Sequence, residues 1–113
     1  MPLLSVETNV PLPADPSPLT ADLSTAVAQW LGKPEGYVMV RLAHNAAMRF
    51  AGTTDPLAYC ELKSIGLPEA RTWELSEALC SRLQERIGVA PNRIYIEFSD
   101  APRQFWGWNS STF

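Results

Sequence analysis
The apolar positions of this chain form one pattern that is written twice, 56 residues apart. Leu19, Leu23, Val27 and Leu31 are matched by Leu75, Leu79, Leu83 and Ile87, with Gly32 matched by Gly88. Val38, Val40 and Leu42 are matched by Ile94, Ile96 and Phe98, and further back Leu4 and Val6 by Cys60 and Leu62. Rows at i, i+4, i+8 and i+12 are the apolar stripe of a helix, and alternate apolar positions are one face of a strand. Few identities are shared, but the physical class agrees at each of these positions.

The boundaries repeat as well. Ser17-Pro18 and Pro68-Glu69 mark helix starts, where proline is tolerated. Gly32 and Gly88 stand where a helix ends in a left-handed residue. A turn containing Pro34 or Pro91 leads into each second strand, and strands at about 3–7 and 58–65 precede the helices. The unit is therefore β-α-β, repeated over about 2–56 and 58–113. It predicts an α/β fold of the α+β kind: two tandem βαβ repeats, a four-stranded mixed sheet, and two helices on one face. Segments near 47–50 and 105–108 are candidates for short edge strands. A length of 113 residues suits one domain.

The strand positions facing away from the helices are Ser5, Glu7, Met39, Arg41, Tyr59, Glu61, Lys63, Ile65, Tyr95 and Glu97. This second face is too polar for a dry core. It is either solvated or turned toward a wet channel between subunits. The tail from Gln104 to Phe113 carries four aromatic residues, although chain ends are usually polar. Such a tail docks on another subunit, walls a pocket, or hooks back onto its own chain.

Net charge narrows the function classes. Nine Lys/Arg against twelve Asp/Glu give −3, with no basic stripe, so nucleic acid is not an expected partner. No apolar run is long enough to cross a bilayer. Two cysteines without CxxC spacing and one histidine, His44, make a metal site unexpected. No cofactor is expected either. The N-terminal segment lacks a basic stretch and reaches Glu7 early, which is not a secretory pattern. Cytoplasmic residence is the expectation, and any release would proceed without a signal peptide.

Several short motifs appear in one order from end to end. They are Met1-Pro2 with Thr8-Asn9-Val10-Pro11, Gly32-Lys33-Pro34, Met48-Arg49-Phe50-Ala51-Gly52, Ser64-Ile65-Gly66, Ile94-Tyr95-Ile96 and Gly107-Trp108-Asn109-Ser110-Ser111-Thr112-Phe113. In these the chain resembles the macrophage migration inhibitory factor family of the tautomerase superfamily, with D-dopachrome tautomerase as the sister family. The resemblance implies a homotrimer around a central channel, with active sites between adjacent subunits. It also implies keto–enol tautomerase activity on phenylpyruvate-like 2-oxo acids.

Such exchange needs one base to carry a proton between oxygen and the α-carbon, with a pKa near the working pH. The resemblance gives that role to the Pro2 amine, which exists as a base only after Met1 is removed. A chain-terminal amine has an ordinary pKa of about 7.7–8.0, and burial or a nearby cation lowers it. Lys33 matches the family lysine that meets the substrate carboxylate or carbonyl oxygen. From its position alone it equally suits a lysine complementing a helix C-terminus. Ile65, with Ser64 beside it, matches the residue whose backbone N–H binds the substrate acid; by pattern both are ordinary strand residues. Tyr95 matches a pocket tyrosine from the neighbouring subunit. Trp106, Trp108 and Phe113 would wall the substrate ring. Tyr37 lies at a rim position that also suits an exposed turn.

Two departures bear on specificity. Glu97 stands at the ring end of the pocket where the family's best-known member has asparagine, which favours a 4-hydroxyl group over a plain phenyl ring. Trp106 replaces a smaller aliphatic residue and narrows the pocket. The alternative reading is a cytokine-like signalling protein with little or no enzymatic role. Leu12 and Asn45 occupy the positions of the vertebrate receptor-binding pair, so receptor binding of that kind is not expected.

Overall fold
Leu19, Leu23 and Val27 line the buried side of helix α1 (Ser17–Leu31), and Leu75, Leu79 and Leu83 do the same for α2 (Thr72–Ile87). In the computed structural model, which describes residues 1–113, these stripes lie on one face of a four-stranded sheet. Its strands are β1 (Leu3–Thr8), β2 (Met39–His44), β3 (Ala58–Ser64) and β4 (Ile94–Asp100), in the order β2-β1-β3-β4. β1 runs parallel to β2 and β3 parallel to β4, while β1 and β3 meet antiparallel at the centre. The two βαβ copies are thus related by an approximate twofold between β1 and β3. The mixed sheet with two helices on one face is the architecture that the repeat predicts.

Burial alternates strictly on the central strands because their odd and even side chains meet different surroundings. Leu4, Val6, Cys60 and Leu62 face the helices at 2% exposure or less, with Leu4 opposite Leu62 and Val6 opposite Cys60. Val40, Leu42, Ile96 and Phe98 of the outer strands, and Val38 just before β2, pack against the same core but are only partly covered. Asp22 of α1 ties the helices together, reaching Arg82 Nη1 at 2.7 Å and Arg86 Nη2 at 3.2 Å on α2.

Helix ends follow from local chemistry. The Ser17 N–H donates to Asp15 Oδ1 at 3.1 Å, where the α1 backbone begins. At the other end Gly32 adopts φ 62°, a region open to glycine at little steric cost. There the Gly32 N–H donates to the Gln29 carbonyl at 3.3 Å and the Lys33 N–H to that of Ala28 at 3.0 Å. This pair of bonds is the Schellman arrangement, and it fixes where Lys33 leaves the helix.

Three expectations about segments need correction. Residues 47–49 form no strand; Phe50 and Thr53 exchange two 3.0 Å backbone bonds around Ala51 and Gly52, both at positive φ. That geometry closes a tight turn and leaves no length for pairing. Of 105–108 only Gly107–Trp108 (β5) is a strand, and it pairs with Ser111–Thr112 (β6) in a hairpin separate from the main sheet. Asn109 and Ser110 both take positive φ, as a two-residue hairpin turn requires. Ile65, expected on the open face, is buried instead. β3 ends at Ser64, and the chain turns at Gly66, whose N–H and that of Leu67 donate to Asp100 Oδ1 at 2.9 and 3.1 Å.

Candidate active site
Pro2 directly precedes β1 and is itself fully buried. Its carbonyl accepts the Met39 N–H at 2.9 Å, which anchors the N-terminal segment to the first residue of β2. Around it opens a cleft of about 440 Å³ lined mainly by apolar groups, among them Met1, Pro2, Tyr37, Trp106, Trp108 and Phe113. The aromatic wall is built by the tail hairpin. Trp108 and Phe113 stack with centroids 5.5 Å apart, and Tyr37 meets them edge-on at 5.6 and 5.5 Å, respectively. A backbone bond from the Phe113 N–H to the Trp106 carbonyl, 3.2 Å, closes the hairpin over the cleft.

The chain-terminal amine lies in this cleft. On Met1 it donates to the Tyr37 carbonyl at 2.8 Å. Burial, and secondarily the Lys33 ammonium, hold its pKa below the ordinary 8.0. Lys33 is close enough to act on the amine electrostatically, having been delivered there by the end of α1. The arrangement therefore places an amine of reduced basicity, a lysine cation and an aromatic wall around one apolar space. Chemically this suits proton transfer on a small aromatic acid whose negative charge the lysine meets.

Beside Pro2 the central register matters. β1 and β3 pair Leu3 with Lys63, so the next residue of β3, Ser64, falls level with Pro2, while Ile65 opens the turn beyond the strand. The Asp100 carboxylate, which holds the turn after Ile65, is a positioning feature that the sequence alone did not reveal.

A scan against family models matches the whole of residues 1–113 to the one described as Macrophage migration inhibitory factor (MIF). The chain belongs to the macrophage migration inhibitory factor family. Among curated proteins it is 40% identical to macrophage migration inhibitory factor of Rattus norvegicus, over 100% of this chain and 99% of that one. It is 38% identical to a homologue from Brugia malayi, with the same coverage. Among solved structures it superposes on a homologue from Prochlorococcus marinus with a TM-score of 0.93 and 46% identity, covering 98% of both chains. For the factor from Trichinella spiralis the TM-score is 0.90 at 31% identity, covering 98% of this chain and 99% of that one. The family includes tautomerase and cytokine-like members.

Within one chain of this family member, the cleft gathers Pro2, Tyr37, Trp106, Trp108 and Phe113, with Lys33 at its margin, Ser64 at the end of the flanking strand and Ile65 in the turn after it. Tyr95 and Glu97 are elsewhere. β4 is two strands away from β1, and Tyr95 lies toward the opposite strand end from Pro2, roughly 17 Å along the sheet at the usual rise per residue. Tyr95 instead lines a second apolar cleft of about 370 Å³ with Met48, Phe50 and Tyr59, its ring centroid 4.6 Å from that of Phe50. Glu97 is exposed on the open sheet face.

Proposed function
We propose that this chain is a keto–enol tautomerase of phenylpyruvate-like 2-oxo acids, working as a homotrimer with Pro2 as general base. The observation that carries this reading is that buried Pro2 lines an apolar, aromatic-walled cleft in which the adjoining Met1 amine is lowered in pKa by burial and Lys33. Once Met1 is removed, the neutral Pro2 nitrogen takes a proton from the carbon next to the keto group. The electron pair moves onto the carbonyl oxygen, which is then protonated to the enol; the reverse path returns the keto form. Lys33 and the backbone N–H of Ile65, with Ser64 beside it, hold the carboxylate and the developing oxyanion. Trp106, Trp108, Phe113 and Tyr37 enclose the ring. Tyr95 and Glu97 complete the pocket from a neighbouring subunit, since their own chain keeps them far from Pro2. The whole chain acts as one domain in this assembly, in the cytoplasm.

Removal of Met1 is checked by intact mass, and turnover by following phenylpyruvate interconversion. Pro2→Gly is expected to lower kcat/KM by about 10²–10⁴-fold, the usual weight of a positioned acid–base group. A processed, trimeric chain without turnover overturns this reading in favour of a cytokine-like binding role.

A further inference from the structure
On the open sheet face, Glu61 and Glu97 are register partners on β3 and β4, so two carboxylates stand side by side. Like charges so placed repel. Two neighbours relieve them. Lys63 Nζ lies 3.3 Å from Glu61 Oε2, and the Tyr59 hydroxyl lies 3.2 Å from Glu97 Oε2 and 3.4 Å from Glu61 Oε1. A hydroxyl has one proton to donate. Because Glu61 already has the lysine, that proton serves Glu97, its nearer acceptor.

The tyrosine is well placed to hold a glutamate still. Its half-buried ring lines the apolar cleft with Phe50 and Tyr95 on one side and a polar cleft with Arg41 and Glu61 on the other. Glu97 is exposed, and Tyr59 is its one hydrogen-bond partner in the chain. A free glutamate loses rotamer entropy on fixing a ligand. One already fixed through Oε2 offers Oε1 with less loss.

We propose that Tyr59 is a positioning residue: it presents Glu97 as a preset acceptor for a phenolic hydroxyl, so the pocket selects hydroxyphenyl over phenyl 2-oxo acids. This rests on the tautomerase reading, in which Glu97 borders the ring end of a neighbouring subunit's pocket. Burial, and then Glu97 itself, raise the Tyr59 pKa, so the hydroxyl keeps its proton throughout the working range. The glutamate remains the acceptor and the substrate hydroxyl the donor.

The test compares 4-hydroxyphenylpyruvate with phenylpyruvate in the processed trimer. Tyr59→Phe is expected to lower the ratio of the two kcat/KM values about five- to tenfold, chiefly through KM. In a Glu97→Ala background the same substitution should leave the ratio where Glu97→Ala alone puts it. If Tyr59→Phe leaves the ratio of the otherwise unaltered enzyme unchanged, or shifts it equally with and without Glu97, the proposal fails. If neither compound turns over, the tautomerase reading falls separately. Calorimetric binding of 4-hydroxyphenylacetate against phenylacetate then decides the role of Tyr59: the same loss of discrimination sustains it, and its absence overturns it.

Discussion
The two helices end alike and are followed by opposite chemistry. Gly32 and Gly88 both close their helices with φ near +65°. After Gly32 comes Lys33, half-exposed at the cleft; after Gly88 comes Val89, wholly buried in the core. Four residues on, Tyr37 gives its carbonyl to the terminal amine at 2.8 Å, while its counterpart Arg93 spends its guanidinium on the loop between the copies. Arg93 donates to the carbonyls of Phe50, Asp55, Pro56 and Thr53 at 2.8, 3.0, 3.3 and 3.4 Å, and lies 5.2 Å from the Phe50 ring. One backbone plan thus yields an open, chemically equipped end and a sealed, structural end. What differs is the traffic past each end: a chain terminus and an aromatic hairpin at the first, a 45–57 loop at the second.

The sharpest way to break this contrast is to exchange the residues after the glycines. Val89→Lys puts an unpaired ammonium into the core and should cost about 3–5 kcal/mol, read as a large fall in the urea midpoint. Lys33→Val should leave the midpoint within about 0.5 kcal/mol yet lower kcat/KM by roughly 10–100-fold, the weight of a lost charged hydrogen bond. Its pH profile carries a further sign. The amine acts as a base only when neutral, so rate is lost as pH falls through its pKa. Burial first and Lys33 second lower the terminal amine on Met1; if Lys33 acts in the same sense on the Pro2 amine exposed by Met1 removal, its loss moves the acidic limb to higher pH. A limb that stays put would show that Lys33 acts on the substrate alone. Arg93→Leu should cost about 1–3 kcal/mol by orphaning carbonyls and speed amide exchange in the 45–57 loop, while leaving turnover nearly intact. If it abolishes turnover instead, the sealed end is not merely structural.

The helices and strands were legible because their burial is periodic: Leu19, Leu23 and Val27 announce α1, and Leu4 and Val6 announce β1. Gly32 and Gly88 announce the ends because only a residue without Cβ takes that turn freely. Much less of the site could be read from spacing. Pro2, Lys33, Tyr37 and the tail aromatics converge through contacts spanning most of the chain, which no local pattern encodes, so family resemblance had to supply them. Alternation carried past Ser64 puts Ile65 on the open face, but the strand ends there and the turn buries it. The short edge strand near 47–50 failed for a related reason. Ala51-Gly52 demanded a turn, and turn geometry overrode the apolar run. Asp100 and Arg93 gave no sequence signal, since an acid and a base at strand ends read as solvated until their backbone partners are seen.

The outermost strands carry one more consequence. β2 and β4 each have a hydrogen-bonded neighbour on one side only, and an unpaired strand edge is a template for any chain that meets it. These two edges are not equivalent in charge: β2 bears Arg41, β4 bears Glu97 and Asp100. Were copies of the chain to meet along these edges, like edges would repel and unlike edges attract, so charge would disfavour back-to-back pairing relative to head-to-tail contact. Head-to-tail contacts end in a ring when the rotation closes and in a filament when it does not. The angle between successive copies, rather than the strength of any one contact, is then what separates a finite particle from a fibre.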